Sequence, residues 1–155
     1  MKAKYYLFSI LISLGGGIAS ALITMKDMAL YQEITKPPLA PPAIVFPIVW
    51  TALYVLMGIS AARVFMWKNA EPRLVEKALT RYAISLIVNY TWPIFFFTLS
   101  AFAVALIWLI LLFVLVIMTI IVYKKIDKAA AYLQIPYVIW LLIAAYLNAA
   151  ILILN

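Results

Sequence analysis

The side chains able to do chemistry in an apolar setting recur on three helical faces. Trp50 shares a face with Tyr54 and Met57, Asn89 with Trp92 and Phe96, and Trp140 with Ala144, Leu147 and Asn148. Each face combines a flat aromatic with a hydroxyl or an amide. Such a set can stack on a planar ligand and hydrogen-bond its edge; it can equally pack helix against helix, with both asparagines as interhelical glue. Pro93 adds a point for a pocket. Inside a helix it frees the carbonyl four residues back, that of Asn89, and a bare carbonyl in lipid needs protein, water or a ligand. Thr51, Ser85, Thr91 and two further indoles complete the polar inventory, and Trp67 and Trp108 read as interfacial anchors.

The missing residue types exclude much. With no histidine and no cysteine the chain lacks disulfides, thiol redox chemistry, imidazole bases and the usual zinc and haem ligands, so no metal site and no resident cofactor are expected. No acidic or basic side chain lies at the centre of an apolar run, which argues against an ion-coupled carrier, a proton pump or a voltage sensor. No catalytic residue stands out on the residues alone.

These faces belong to a chain of 155 residues that is 69% hydrophobic and 11% charged, with a mean hydropathy of +1.14. Soluble domains are about half apolar and about a quarter charged, so the lipid bilayer is the solvent here. The apolar runs predict five spans, at about residues 5–25, 42–67, 77–99, 102–123 and 130–154, in a single all-α integral membrane domain: a five-helix bundle. The first run imitates a signal peptide, with Lys2 and Lys4 before it and Ala19-Ser20-Ala21 within it. Its continuation to Met25 and the four-residue spacing of Gly16/Ser20 and Gly17/Ala21 favour a retained helix packed closely on a neighbour. Residues 26–41 form a charged, proline-rich loop, stiffened by the prolines of KPPLAPP.

Ten basic residues fall at the N-terminus and in the second and fourth connections, against Lys26 and Lys36 in the proline-rich loop. That asymmetry places the N-terminus inside, the C-terminus outside and the loop on the outer face, as expected in a bacterial cytoplasmic membrane. The net charge of +7 therefore orients the protein, and no nucleic-acid partner is expected.

Four stretches carry a family resemblance: KPPLAPP at Lys36–Pro42, WTALYVLMG at Trp50–Gly58, NYTWPIFFF at Asn89–Phe97 and PYVIWLLIAAYLN at Pro136–Asn148. With these the chain resembles the tryptophan-rich sensory protein / translocator protein family, also called the peripheral-type benzodiazepine receptor family. The resemblance implies a five-helix bundle, usually a homodimer, whose pocket opens toward the first loop and binds porphyrins such as protoporphyrin IX, and isoquinoline carboxamides. It implies pocket residues Tyr31 and Pro41 from the loop, Trp50 from the second span, Asn89, Trp92 and Phe95 from the third, and Trp140, Ala144 and Leu147 from the fifth. Some bacterial members degrade protoporphyrin photochemically, and Trp50 and Trp140 match the tryptophans implicated. Two departures stand out. The sterol-contact pattern needs Lys or Arg soon after Tyr146, and Leu147–Asn155 has none, which tells against cholesterol; Pro93 stands where a small polar residue is expected. Flat aromatic walls suit a large planar ligand, and with what the resemblance implies they rank a receptor-like porphyrin-binding protein first, a light- and oxygen-dependent porphyrin-degrading enzyme second and a porphyrin transporter third.

Overall fold

The computed structural model describes residues 2–155, and its regular elements are all helical. Five long helices, α1 (Ala3–Thr24), α3 (Val45–Phe65), α4 (Pro72–Pro93), α5 (Phe102–Ile126) and α7 (Ile135–Leu154), are joined through two short ones, α2 (Leu30–Glu33) and α6 (Lys128–Tyr132). By length and composition four segments can cross a membrane: Ala3–Asp27, Val45–Phe65, Phe102–Ile126 and Lys128–Leu154. The fifth long helix, α4, falls short because Arg73, Glu76, Lys77 and Arg81 occupy its first half.

Proline places several of the boundaries. Pro72 opens α4 at a position where a missing amide hydrogen costs nothing, so the helix starts five residues before the expected 77. Pro47 falls in the first turn of α3, whose amides have no helical acceptor anyway. The expected single helix over 130–154 is instead broken: α6 stops at Tyr132 and α7 begins at Ile135. Pro136 removes the amide that would bond the Tyr132 carbonyl, and the Asp127 side chain caps α6 separately by accepting from the Ala130 amide at 3.0 Å. After Pro93 the backbone widens into a π turn over Ile94–Thr98, and Ser100, in the left-handed region at φ 49°, turns the chain into α5.

α1 runs antiparallel to α3, with Ile10 beside Gly58 and Gly17 beside Tyr54. α4 packs on α5, and α5 on α7. Large buried side chains at the centre, Met57, Leu112, Tyr123, Tyr137 and Leu141, alternate with small ones such as Ala61, Ala78 and Ala130. Hydroxyls bridge the helices at their closest approaches: Ser13 Oγ donates to the Tyr54 carbonyl at 2.7 Å, Ser20 Oγ to that of Tyr90 at 2.6 Å and Ser60 Oγ to that of Ala130 at 2.7 Å. Leu7, Phe8, Ile107, Ile110, Ile121 and Leu142 are exposed on the outside, an inversion of the soluble pattern that suits a lipid solvent.

Candidate functional site

A cavity of about 320 Å³ lies between the ends of the helices that adjoin the proline-rich loop. Its walls are nearly all apolar. α3 contributes Phe46, Trp50 and Tyr54, one face at a spacing of four; α4 contributes Asn89, Trp92 and Pro93; α7 contributes Trp140 and Ala144. The rings are fixed by one another. Trp50 stacks on Tyr54 at 5.5 Å between centroids and meets Tyr137 edge-on at 6.0 Å, Trp92 stacks on Phe96 at 5.0 Å, and Phe46 meets Trp140 edge-on at 5.8 Å.

Of the nine expected site residues, Tyr31, Trp50, Asn89, Trp92, Trp140 and Ala144 line this cavity. Leu147 lies one step away, on a small adjoining void with Asn148 and Ile151. Phe95 turns aside to pack on Trp108 at 5.2 Å, and Pro41 meets the site only through its carbonyl, which accepts from the Tyr31 hydroxyl at 2.8 Å. The alternatives of glue and pocket divide by residue. Asn148 is bound on both sides, its Oδ1 accepting from Trp92 Nε1 at 3.3 Å and its Nδ2 donating to the Phe102 carbonyl at 2.8 Å. Asn89 does both: its Oδ1 accepts from the Tyr54 hydroxyl and its Nδ2 donates to the Tyr137 hydroxyl at 2.7 Å, while its side chain still faces the cavity. Trp108 ties α5 to α4, its Nε1 donating to the Val88 carbonyl at 3.1 Å and Thr91 Oγ1 at 2.9 Å, which explains why it is not a plain interfacial anchor.

A cover completes the site. Tyr31, on α2, is buried under the loop, and Lys36 folds back so that its Nζ donates to the Tyr31 carbonyl at 2.6 Å and sits 4.8 Å from the Tyr31 ring centre. The loop is fastened at three further places. The Asn155 side-chain amide accepts from the Thr35 amide and donates to the Thr35 carbonyl, both at 3.0 Å; Tyr146 donates to the Pro38 carbonyl at 3.0 Å; Thr98 donates to Asp27 at 2.7 Å.

An aromatic cavity under a proline-rich cover, walled by Trp50, Asn89, Trp92 and Trp140, can be compared with known proteins. The sequence profile of the TspO/MBR family matches residues 9–154. The chain belongs to the TspO/MBR family. It is 33% identical to the tryptophan-rich protein TspO of Chlorobaculum tepidum over 93% of this chain and 91% of that one. It is 32% identical to the tryptophan-rich sensory protein of Cereibacter sphaeroides over 100% and 95%. The translocator protein 2 of Canis lupus familiaris is 33% identical over 94% and 85%.

Several walls of this TspO/MBR cavity were not expected from the sequence. Gly17, Ser20 and Ala21 present the small-residue face of α1, which reads as a helix contact; the Tyr54 ring does occupy the space at Gly17, yet Ala21 faces the cavity. Phe46 and Pro47 extend the Trp50 face backward by one turn, a signal available at i−4. Leu109 and Leu112 come from α5, which is apolar all round and so offers no periodicity to read. Pro93 has no amide hydrogen to give the Asn89 carbonyl, and its effect reaches one residue further. The Ile94 amide bonds Thr91 instead of Tyr90, and the released Tyr90 carbonyl takes the Ser20 hydroxyl. Electrostatically the site is nearly neutral: its lining holds no carboxylate or cation. On the loop, burial pushes the Tyr31 hydroxyl above the ordinary phenol range.

Proposed function

We propose that this TspO/MBR protein is a receptor-like membrane protein that binds a porphyrin in the tryptophan-walled cavity and thereby modulates tetrapyrrole metabolism or stress signalling. The observation that carries the reading is the convergence of Trp50, Trp92 and Trp140 on one uncharged cavity. A macrocycle has two apolar faces that stack on indoles and a polar edge that prefers water or headgroups. At about 320 Å³ the space is at the small end for ligand pockets, so the ring goes in edge first and its carboxylates stay outside the cavity, toward the headgroups. Lys36 is engaged with Tyr31, which leaves stacking and shape as the main sources of affinity.

The arrangement that goes with this reading has α4 as a fifth span, its charged first half in the inner headgroup region and its second half in hydrocarbon. The N-terminus is inside, the loop and C-terminus are outside, and the chain pairs as a homodimer. Titration of the purified protein with several tetrapyrroles, followed by tryptophan quenching, tests the function. Saturable binding of protoporphyrin IX supports it, and linear, non-saturating quenching refutes it.

A second reading is light-driven oxidation of the bound porphyrin by oxygen. It is favoured by the placement of Trp50 and Trp140 in the same cavity, with Tyr54 stacked on Trp50 as a further electron donor. Product analysis in light and dark separates the two: binding alone returns the porphyrin unchanged.

A further inference from the structure

The antiparallel pair α1 and α3 is not equally close along its length. Toward the end away from the loop a Cβ at Gly58 would fall 2.6 Å from the Ile10 Cα, so the backbones touch. Midway the Tyr54 ring fills the space at Gly17. Beyond it the side chains are small: Ala21 on α1, Ala43 just before α3 and Pro47 in its first turn are exposed, yet all three line the cavity. The surface around this opening is apolar. Ile18 and Leu22 flank it on α1 and Ile44 and Ile48 on the α3 side, each half or more exposed. The opening therefore continues the lipid-facing surface, while the loop beside it is held in place by the Tyr31, Tyr146 and Asn155 hydrogen bonds.

From this geometry we propose that the cavity opens sideways into the hydrocarbon of the bilayer, through the gap between α1 and α3 at Ala21 and Pro47, and that a phospholipid acyl chain occupies it through that gap when no larger ligand is bound. An acyl chain is the occupant that the lining selects. It needs no hydrogen bond, it is present at high concentration along the whole opening, and an empty apolar cavity of this size forfeits dispersion contacts on every wall. A ligand dissolved in the membrane then reaches Trp140 by displacing the chain, without any movement of the loop. The inference rests on the cavity and its bilayer setting and does not require that the ligand be a porphyrin.

The test uses the full chain in nanodiscs whose phosphatidylcholine is brominated at mid-chain, a contact quencher of indole fluorescence. A variant retaining Trp140 as its sole tryptophan loses fluorescence in brominated bilayers to the same extent as a reference whose sole tryptophan comes from Ile48→Trp, although Trp140 is only 7% exposed. Ala21→Phe fills the gap and restores the Trp140 signal while leaving the reference quenched; Leu22→Phe, beside the gap, restores nothing. Should the sole-tryptophan chains fail to fold, the contribution of Trp140 is read in the native chain by difference from Trp140→Phe. Trp140 emission untouched by bromine while the reference is quenched overturns the proposal, and means that a second copy or a shut seam covers the gap. Quenching that persists in full in Ala21→Phe overturns the route. Neither outcome bears on porphyrin titration, so the two readings fail separately.

Discussion

Replacing Trp140 by alanine removes the α7 wall of the cavity and is the sharpest test of the site. The indole is buried at 7% exposure, held edge-on by Phe46 at 5.8 Å, and flanked one turn along by Ala144, whose small side chain leaves room for a flat ligand. Aromatic stacking is worth roughly 0.5–1.5 kcal/mol beyond area burial. A contact face of roughly 50 Å² at about 25 cal/mol/Å² adds about 1 kcal/mol. The sum is about 2 kcal/mol, of which the ligand regains part by shifting into the vacated space, so affinity for protoporphyrin IX should fall about tenfold or more. Trp140→Ala removes one of the indoles whose quenching reports binding, so the assay follows the porphyrin absorption band, which does not depend on the number of tryptophans. Ala144→Leu should cause a similar loss by filling the space from the other side. Trp67→Ala is the control: Trp67 is 45% exposed at the far end of α3, and its loss should leave affinity within about twofold. Equal losses from Trp67 and Trp140, or none from Trp140 in a chain that circular dichroism shows to be folded, would refute the reasoning and return Trp140 to simple packing.

Further outcomes are expected. With α4 proposed as a fifth span, ten basic residues would fall on the side of the N-terminus against two in the proline-rich loop, so reporter fusions that work only in the cytoplasm should be active at the N-terminus and inactive at the C-terminus. Gly58→Ala should lower stability by about 1–3 kcal/mol because its Cβ meets the Ile10 backbone. Gly15→Ala, with open space around it, should be neutral or slightly stabilising by thermal unfolding in detergent. Asp127 supplies a pH dependence. Burial alone would raise its pKa, but the Ala130 amide and Arg63, whose guanidinium lies 2.9 Å away, lower it overall. Its contribution is therefore complete above the ordinary carboxylate pKa of about 3.9 and is lost as pH falls through the lower folded value. Asp127→Asn should be less stable than the native chain at neutral pH, and the two unfolding midpoints should converge in acid.

The aromatic part of the site was legible because indoles at helical spacing with amides are rare in an otherwise uniform apolar sequence. Trp50, Asn89, Trp92 and Trp140 reach one cavity from three helices, although their spacing alone leaves packing and pocket both open. What could not be read was which way a residue turns where the helix is irregular. Phe95 lies in the π turn after Pro93 and is aimed at Trp108, and a motif match carries no information about that local widening. Leu109 and Leu112 were hidden for a different reason: on α5 every face is apolar, so lipid-facing and cavity-facing leucines look alike. The break before α7 was readable in principle from Gln134 and Pro136, but a run free of charged side chains outweighs them when only hydropathy is considered.

The fastenings of the proline-rich loop have a further consequence. Thr35 is held by the neutral amide of Asn155, Pro38 by the Tyr146 hydroxyl and Pro41 by that of Tyr31; the loop's remaining contacts, those of Lys36 and Asp27, carry charge, and among the described residues neither pairs with an opposite ion. A cover locked this way is nearly blind to the variables that usually govern loops at a membrane surface. Ionic strength and the charge of the surrounding headgroups screen or attract ions, and there is little here for them to act on. The lock responds instead to whatever competes for neutral hydrogen bonds, so alcohols and urea should loosen it at concentrations where salt leaves it shut.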